Sequence, residues 1–160
     1  MKLYIKQKVF SFADKFDIYD QWGKPVYTVE GKLFSIGKKL YVFDNFDREV
    51  AYIEQKVLSF LPRYFVFTNG EQRAEIVKNF TLFRHKYTVE GLGWEVNGNF
   101  LAHDYEITRN GTPIVTISKQ WLTFGDCYEL DIADGEDVIL AVSVVLAIDC
   151  AMAQANSNNN

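Results

Sequence analysis

Two cysteines, two histidines and three prolines are all that this 160-residue sequence contains of those residues. No C-x-x-C or H-x-x-x-H spacing occurs, so His85, His103, Cys127 and Cys150 offer no zinc-ligand pattern, and both histidines are expected to be structural or on the surface. The phosphate-cradling patterns G-x-x-x-x-G-K-[ST] and G-x-G-x-x-G are missing, as is the G-x-S-x-G nucleophile elbow. His103-Asp104 suggests a base oriented by a carboxylate, but neighbours on a strand point to opposite faces. The acidic stretch Asp131, Asp134, Glu136 and Asp137 lacks calcium-loop spacing. The expectation is a non-enzymatic chain with no cofactor and no metal.

Charge of one sign is also scarce. Seventeen Lys and Arg against 21 Asp and Glu leave a net charge of -4, which argues against nucleic acid, whose phosphates demand clustered cations. The first ten residues, MKLYIKQKVF, break their apolar content with Lys2, Lys6 and Lys8 and so lack the apolar run of a secretory signal. A cytoplasmic chain with reduced thiols follows as the expectation, and the N-x-T triplets at Asn79 and Asn110 then carry no information. The longest apolar run, Val138 to Ile148, spans eleven residues, whereas a membrane-crossing helix takes about 20. Its N-terminal flank is acidic rather than basic. It reads as a helix buried in protein, with no transmembrane segment.

What the chain has in quantity is aromatic and β-branched residues: 13 Phe, 9 Tyr and 3 Trp, with a hydrophobic fraction of 48%. That is enough for the core of one domain. Residues 1–133 read as about twelve short strands separated by turn signals, strongest at Asn69-Gly70, Asn97-Gly98 and Asn110-Gly111. Tyr27-Thr28-Val29-Glu30-Gly31 recurs as Tyr87-Thr88-Val89-Glu90-Gly91, and residues 49–60 resemble 113–124. Two matches in the same order suggest a duplicated half-sheet.

From Asp134 the rhythm changes. Asp134 is a candidate N-cap with Asp137 in the first turn of a helix over residues 134–153, and the residues that follow are apolar on every side. Twelve strands in a closed barrel leave a lumen that side chains alone do not fill, and a helix about 10–12 Å across plugs it. The expected fold is a closed antiparallel barrel of about twelve strands enclosing a C-terminal hydrophobic helix. The polar residues 154–160 are expected to form a disordered tail.

These residues resemble the LURP-one-related family, which shares the tubby C-terminal-like fold with phospholipid scramblases. The likeness is carried by Met1-Lys2-Leu3-Tyr4-Ile5-Lys6-Gln7, by Lys15-Phe16-Asp17-Ile18-Tyr19-Asp20 leading to Gly23-Lys24-Pro25-Val26-Tyr27, and by Ala102-His103-Asp104-Tyr105-Glu106-Ile107. The ending Tyr128-Glu129-Leu130-Asp131-Ile132-Ala133-Asp134, followed by the apolar segment to Ile148-Asp149-Cys150, is the most distinctive part. It covers about residues 1–153. The resemblance implies the barrel around a helix. Tubby-like relatives bind phosphoinositide head groups and scramblases act on phospholipids, while small bacterial and plant members mostly lack an assigned activity. No scramblase-type cysteine cluster and no tubby-type head-group residues match here, so no site transfers.

One feature leans toward a ligand. Residues 1–80 hold 13 Lys and Arg against 10 Asp and Glu, and residues 81–160 hold 4 against 11. Lys2, Lys6 and Lys8 share strand parity, and Lys32, Lys38 and Lys39 cluster near Gly37. These six lysines are the candidate residues for anionic phospholipid or phosphoinositide head groups, each worth about 1 kcal/mol near a charged bilayer. A chain bound this way would be peripheral at the membrane. The alternative is a protein-interaction or scaffold domain, with Trp22, Phe46 and Trp121 as exposed contacts. A carrier of apolar ligands would compete with the helix for the lumen.

Overall fold

A computed structural model describes residues 1–6, 15–32, 36–79, 86–122 and 125–157, with backbone only at 121, 122, 125, 126, 156 and 157. Lys8, His85, the side chain of Trp121 and the last three residues lie outside the described part. Twelve strands precede one helix: β1 Lys2–Lys6, β2 Lys15–Asp20, β3 Pro25–Gly31, β4 Lys39–Asp44, β5 Glu49–Gln55, β6 Arg63–Thr68, β7 Glu71–Asn79, β8 Lys86–Glu90, β9 Trp94–Asn99, β10 Asp104–Arg109, β11 Thr112–Leu122, β12 Gly125–Ile132 and α1 Val138–Ser157. Each strand pairs antiparallel with the next, and β12 pairs with β1 to close the barrel.

Such a meander has two ends. Connections β2–β3, β4–β5, β6–β7, β8–β9 and β10–β11, with the start of α1, lie at what we call the turn end. The remaining connections and the end of α1 lie at the loop end. Four of the turn-end hairpins carry a register shift just after the turn, opposite Ile18/Tyr19, Val42/Phe43, Val66/Phe67 and Ile107/Thr108. An extra residue there sharpens the twist and helps a sheet curl into closure.

The alternation read from the sequence decides which side chains face the lumen. Leu3 and Ile5, Leu40 and Val42, Ile53, Val66, Ile76, Val89, Ile107, Ile117 and Leu130 are all buried, and their sequence neighbours point out. Inside them, thirteen consecutive helical residues from Leu140 to Met152 are buried. At 3.6 residues per turn, that covers every face of the helix. The segment Val138–Ala155 is long and apolar enough to cross a membrane, but the chain's own sheet surrounds it.

The helix sits off centre, nearest β5, β6 and β7. Those strands line the lumen partly with small residues, Ala51, Val66 and Ala74, whereas the far wall supplies Tyr87, Trp94, Tyr105 and Tyr128. Phe100, in the turn between β9 and β10, packs its ring 4.9 Å from Tyr87 and 5.1 Å from Tyr105. Large rings thus fill the wider gap. Polar contacts fix the helix in rotation: Tyr64 donates to Gln154 at 3.0 Å, and Tyr128 donates to the buried Asp149. His103 lies 3.6 Å from the same carboxylate and stacks on Tyr128 at 4.5 Å. Burial, reinforced by the Asp149 charge, pushes the Tyr128, Tyr105 and Cys150 groups well above their ordinary pKa values.

Several expectations need correction. The helix cap is Asp137, whose carboxylate accepts from the Leu140 amide at 3.0 Å, while Asp134 lies in the preceding turn. The helix runs four residues past 153, because Gln154 and Ala155 still pack on the barrel, so residues 154–157 are helical rather than a disordered tail. Asn97-Gly98 is not a hairpin but lies within β9. Gly98 has φ +135°, and a Cβ there would approach the Tyr105 Cα to 2.5 Å; its glycine serves close strand approach. Strands β3 and β8, which share the Tyr-Thr-Val-Glu-Gly string, run in opposite directions along the barrel, so the string reflects strand composition rather than duplication. Strands β5 and β11, six places apart, run the same way.

Candidate functional site

Charge is biased by barrel end as well as by half of the sequence, because a meander returns every second connection to the same end. Lys6, Lys32, Lys38, Lys39, Lys56, Arg63, Lys86 and Lys119 lie toward the loop end, two of them from the acidic second half. Asp20, Asp44, Asp47, Glu49, Asp134, Glu136 and Asp137 lie at the turn end. Of the six candidate lysines, Lys2 is therefore misplaced: it sits at the turn end, 2.5 Å from Glu129 and 3.4 Å from Asp131. Strand parity placed it on the outer face with Lys6, but a five-residue strand carries the two to opposite ends.

The loop end also exposes apolar side chains. Ile36, Leu58 and Phe60 are 88%, 104% and 107% exposed, with Val57 and Leu101 also accessible. They are not on frayed chain. The Gln55 amide donates to the Lys38 carbonyl at 2.8 Å, the Lys38 amide to the Gln55 side chain at 3.0 Å, and the Lys56 amide to the Arg63 carbonyl at 2.9 Å. Gly37, at φ +81°, lets the two connections touch, since a Cβ there would lie 2.8 Å from the Val57 side chain. This lock ties the connection that carries Ile36 to the one that carries Val57 and Leu58. Leu58 itself adopts φ +61°, a left-handed conformation that costs an L-residue about 1–2 kcal/mol, and its side chain touches nothing that would repay the strain.

Cations flank these tips. Lys32 is exposed, and Lys38 is half-buried, so burial pulls its ammonium below the ordinary lysine range. Lys39 bonds Glu54 at 2.7 Å, which raises its pKa, and lies 5.7 Å over the Tyr52 ring. Lys56 sits 5.5 Å over Phe65, and Arg63 pairs with Glu75 at 2.9 Å. Lys6 covers Tyr19 at 5.5 Å. Exposed apolar side chains at the barrel end where these cations lie suit a surface that is anionic outside and apolar beneath.

The other candidates separate cleanly. Trp22 and Phe46 are exposed, at 80% and 77%, but at the turn end. Each stands third in a turn of the same build: Asp20 accepts from the Trp22 and Lys24 amides at 2.9 Å, and Asp44 from the Phe46 and Arg48 amides at 2.8 and 3.1 Å. Cys127 and Cys150 are buried and form no disulfide. His103 and Asp104 point apart, and His103 instead faces Asp149. Among the described residues, no three His, Cys, Asp or Glu side chains converge as metal ligands.

The resemblance of residues 49–60 to 113–124 predicts strand through the loop tips. In the second copy the strand continues to Leu122, but β5 stops at Gln55. Leu61-Pro62, just before β6, is the turn signal in the sequence where Val57-Leu58-Ser59-Phe60 leaves the sheet.

A family model described as LURP-one-related matches residues 1–149. The uncharacterized protein YxjI of Bacillus subtilis (strain 168) is 36% identical over 152 residues, covering 95% of this chain and 94% of YxjI. An X-ray structure of a protein from Arabidopsis thaliana superposes with a TM-score of 0.65 at 14% identity, covering 93% of this chain and 90% of that one. At that identity the superposition speaks for the fold alone.

Proposed function

The chain belongs to the LURP-one-related family, and from that premise we propose that it is a non-catalytic module that docks on anionic phospholipid surfaces through its loop end. The observation that carries this reading is the placement of Ile36, Leu58 and Phe60, wholly exposed, at the end where the lysines collect. Burying such a side chain fully is worth about 1.5–3 kcal/mol, and each nearby cation adds about 1 kcal/mol at a charged surface. Together they favour reversible peripheral attachment. The resemblance of the family to tubby-like proteins, which bind phosphoinositide head groups, and to scramblases, which act on phospholipids, is in keeping with this reading.

The test is co-sedimentation with phosphatidylcholine vesicles with and without phosphatidylserine. Binding should require the anionic lipid and fall steeply with salt, because charges are screened over about 10 Å at 0.1 M but about 3 Å at 1 M. Phe60→Ser should weaken it. Equal binding to neutral vesicles, or none to anionic ones at low salt, would refute the reading.

A second reading, a protein-interaction domain, is favoured by the paired turns that present Trp22 and Phe46 at the opposite end. A partner retained by the native chain and lost by a Trp22→Ala/Phe46→Ala variant would support it. The carrier reading has less room, because α1 occupies the lumen in which a cargo would sit.

A further inference from the structure

The outer face of β4, β5 and β6 is aromatic. Tyr41 and Phe43 on β4, Tyr52 on β5, and Phe65 and Phe67 on β6 point away from the lumen, alternating with the buried Leu40, Val42, Ala51, Ile53, Tyr64 and Val66. Register sets Tyr41 opposite Tyr52 and Tyr52 opposite Phe67. Their rings stack at 5.5 and 4.9 Å with interplanar angles of 20° and 22°, and Phe43 and Phe65 each lie 6.5 Å from a ring of this row. On the opposite wall the outward positions are Thr88, Glu95, Asn97, Glu106, Thr116 and Ser118. The barrel is already filled by its helix, so internal packing does not account for five rings on one outer face.

That face runs directly into the apolar tips, because Ile36 precedes β4 and Val57, Leu58 and Phe60 join β5 to β6. Lys39 and Lys56 lie along it, over the rings of Tyr52 and Phe65. We propose that the barrel docks tilted, with the β4–β6 wall as well as the loop end against the bilayer, and that this aromatic row lies at the level of the phospholipid head groups. The proposal rests on the docking reading above and specifies its geometry. In an upright barrel, Tyr52 would stand about 10 Å above the root of the loops, three residues at about 3.3 Å each. The head-group layer is only about 5–7 Å deep per leaflet, so an upright barrel would leave the row in water. Tilting places amphipathic tyrosines where such rings prefer to lie, and it sets Lys39 and Lys56 among the phosphates.

Phe43→Ser and Phe67→Ser test this with phosphatidylserine-containing vesicles, since both residues are far from the tips. Each should lower binding about three- to tenfold and leave the far-ultraviolet spectrum unchanged. As a measurement that survives any loss of stability, an environment-sensitive fluorophore on Phe43→Cys should shift to the blue on adding vesicles, and one on Asn97→Cys should not. If both serine variants bind as the native chain does while Phe60→Ser still weakens binding, the tilt is wrong and the loop-end docking stands. If the native chain binds no anionic vesicle, both fall. A native chain that is dimeric in sedimentation and becomes monomeric with Phe67→Ser would assign the face to a second copy, and so overturn the proposal.

Discussion

Replacing Leu58 with glycine separates the two demands that meet at that position. The backbone there has φ +61° and the side chain is wholly exposed, so truncation sacrifices no packing. Glycine adopts this left-handed conformation without the Cβ clash that an L-residue suffers, which returns about 1–2 kcal/mol, and the added freedom of glycine in the unfolded chain takes back about 0.5–1 kcal/mol. The net expectation is a gain of about 0.5–1 kcal/mol, or about 1–4 °C in Tm for a chain of this size. Membrane binding should move the other way. Even half the burial of a leucine, about 0.8–1.5 kcal/mol, corresponds to roughly four- to twelvefold weaker partition. Leu58→Asn, which tolerates the same backbone without the entropy of glycine, should repeat both signs. Differential scanning calorimetry and vesicle co-sedimentation on the same preparations give the answer. A lowered Tm would show that Leu58 packs on the barrel, and a raised Tm with unchanged partition would show that the tip does not enter lipid. Either result refutes the argument that this strain is kept for docking.

Other expectations concern the barrel itself. Tyr128→Phe removes the hydroxyl that donates to the buried Asp149 and should cost about 1–3 kcal/mol, read as a lower urea midpoint; adding Asp149→Leu should restore most of it by removing the stranded carboxylate. Gly98→Ala sets a methyl against the backbone of β10, 2.5 Å from the Tyr105 Cα and 2.6 Å from the Asp104 carbonyl oxygen; a loss of about 2–4 kcal/mol is expected, and a native-like Tm would contradict it. The hydrogen bond from Lys39, with that from Tyr52, holds the Glu54 carboxyl below its ordinary 4.5. Its contribution is therefore complete above pH 4.5 and lost as pH falls through the lower folded value. Glu54→Gln should flatten that acid loss by no more than about 0.5–1 kcal/mol, because the pair is partly solvated; an unchanged pH profile of the denaturation midpoint would argue against the pairing.

The barrel and its plug are legible in the sequence because both rest on periodicity. Phe16-Asp17-Ile18 and Ala74-Glu75-Ile76 alternate as a half-buried strand must, and the segment after Asp137 is apolar on all sides, as a helix enclosed by the sheet must be. Boundaries are less legible. Asp134 and Asp137 are equally good caps on paper, and the choice falls to Gly135, which at φ +82° turns the chain before the helix starts. Asn97-Gly98 reads as a hairpin because the dipeptide does not reveal that Tyr105 will press against it.

The site is the least legible part. Which lysines gather depends on strand direction, so Lys2 and Lys6, with matching parity, end four residues apart on opposite rims. Leu58 and Phe60 resemble strand residues until the sheet is seen to end at Gln55. The outward rings of Tyr41, Tyr52 and Phe67 meet only through cross-strand register, which no local pattern in the sequence reports.

Docking through the loop end is tested most directly by a fluorescent label whose emission reports polarity, attached in turn to Leu58→Cys and Asn110→Cys, with Cys127 and Cys150 shielded by burial. On adding phosphatidylserine vesicles at low salt, the label at 58 should brighten and shift to the blue, and the label at 110, in the turn between β10 and β11, should stay unchanged. A response at 110 with none at 58 would contradict the account.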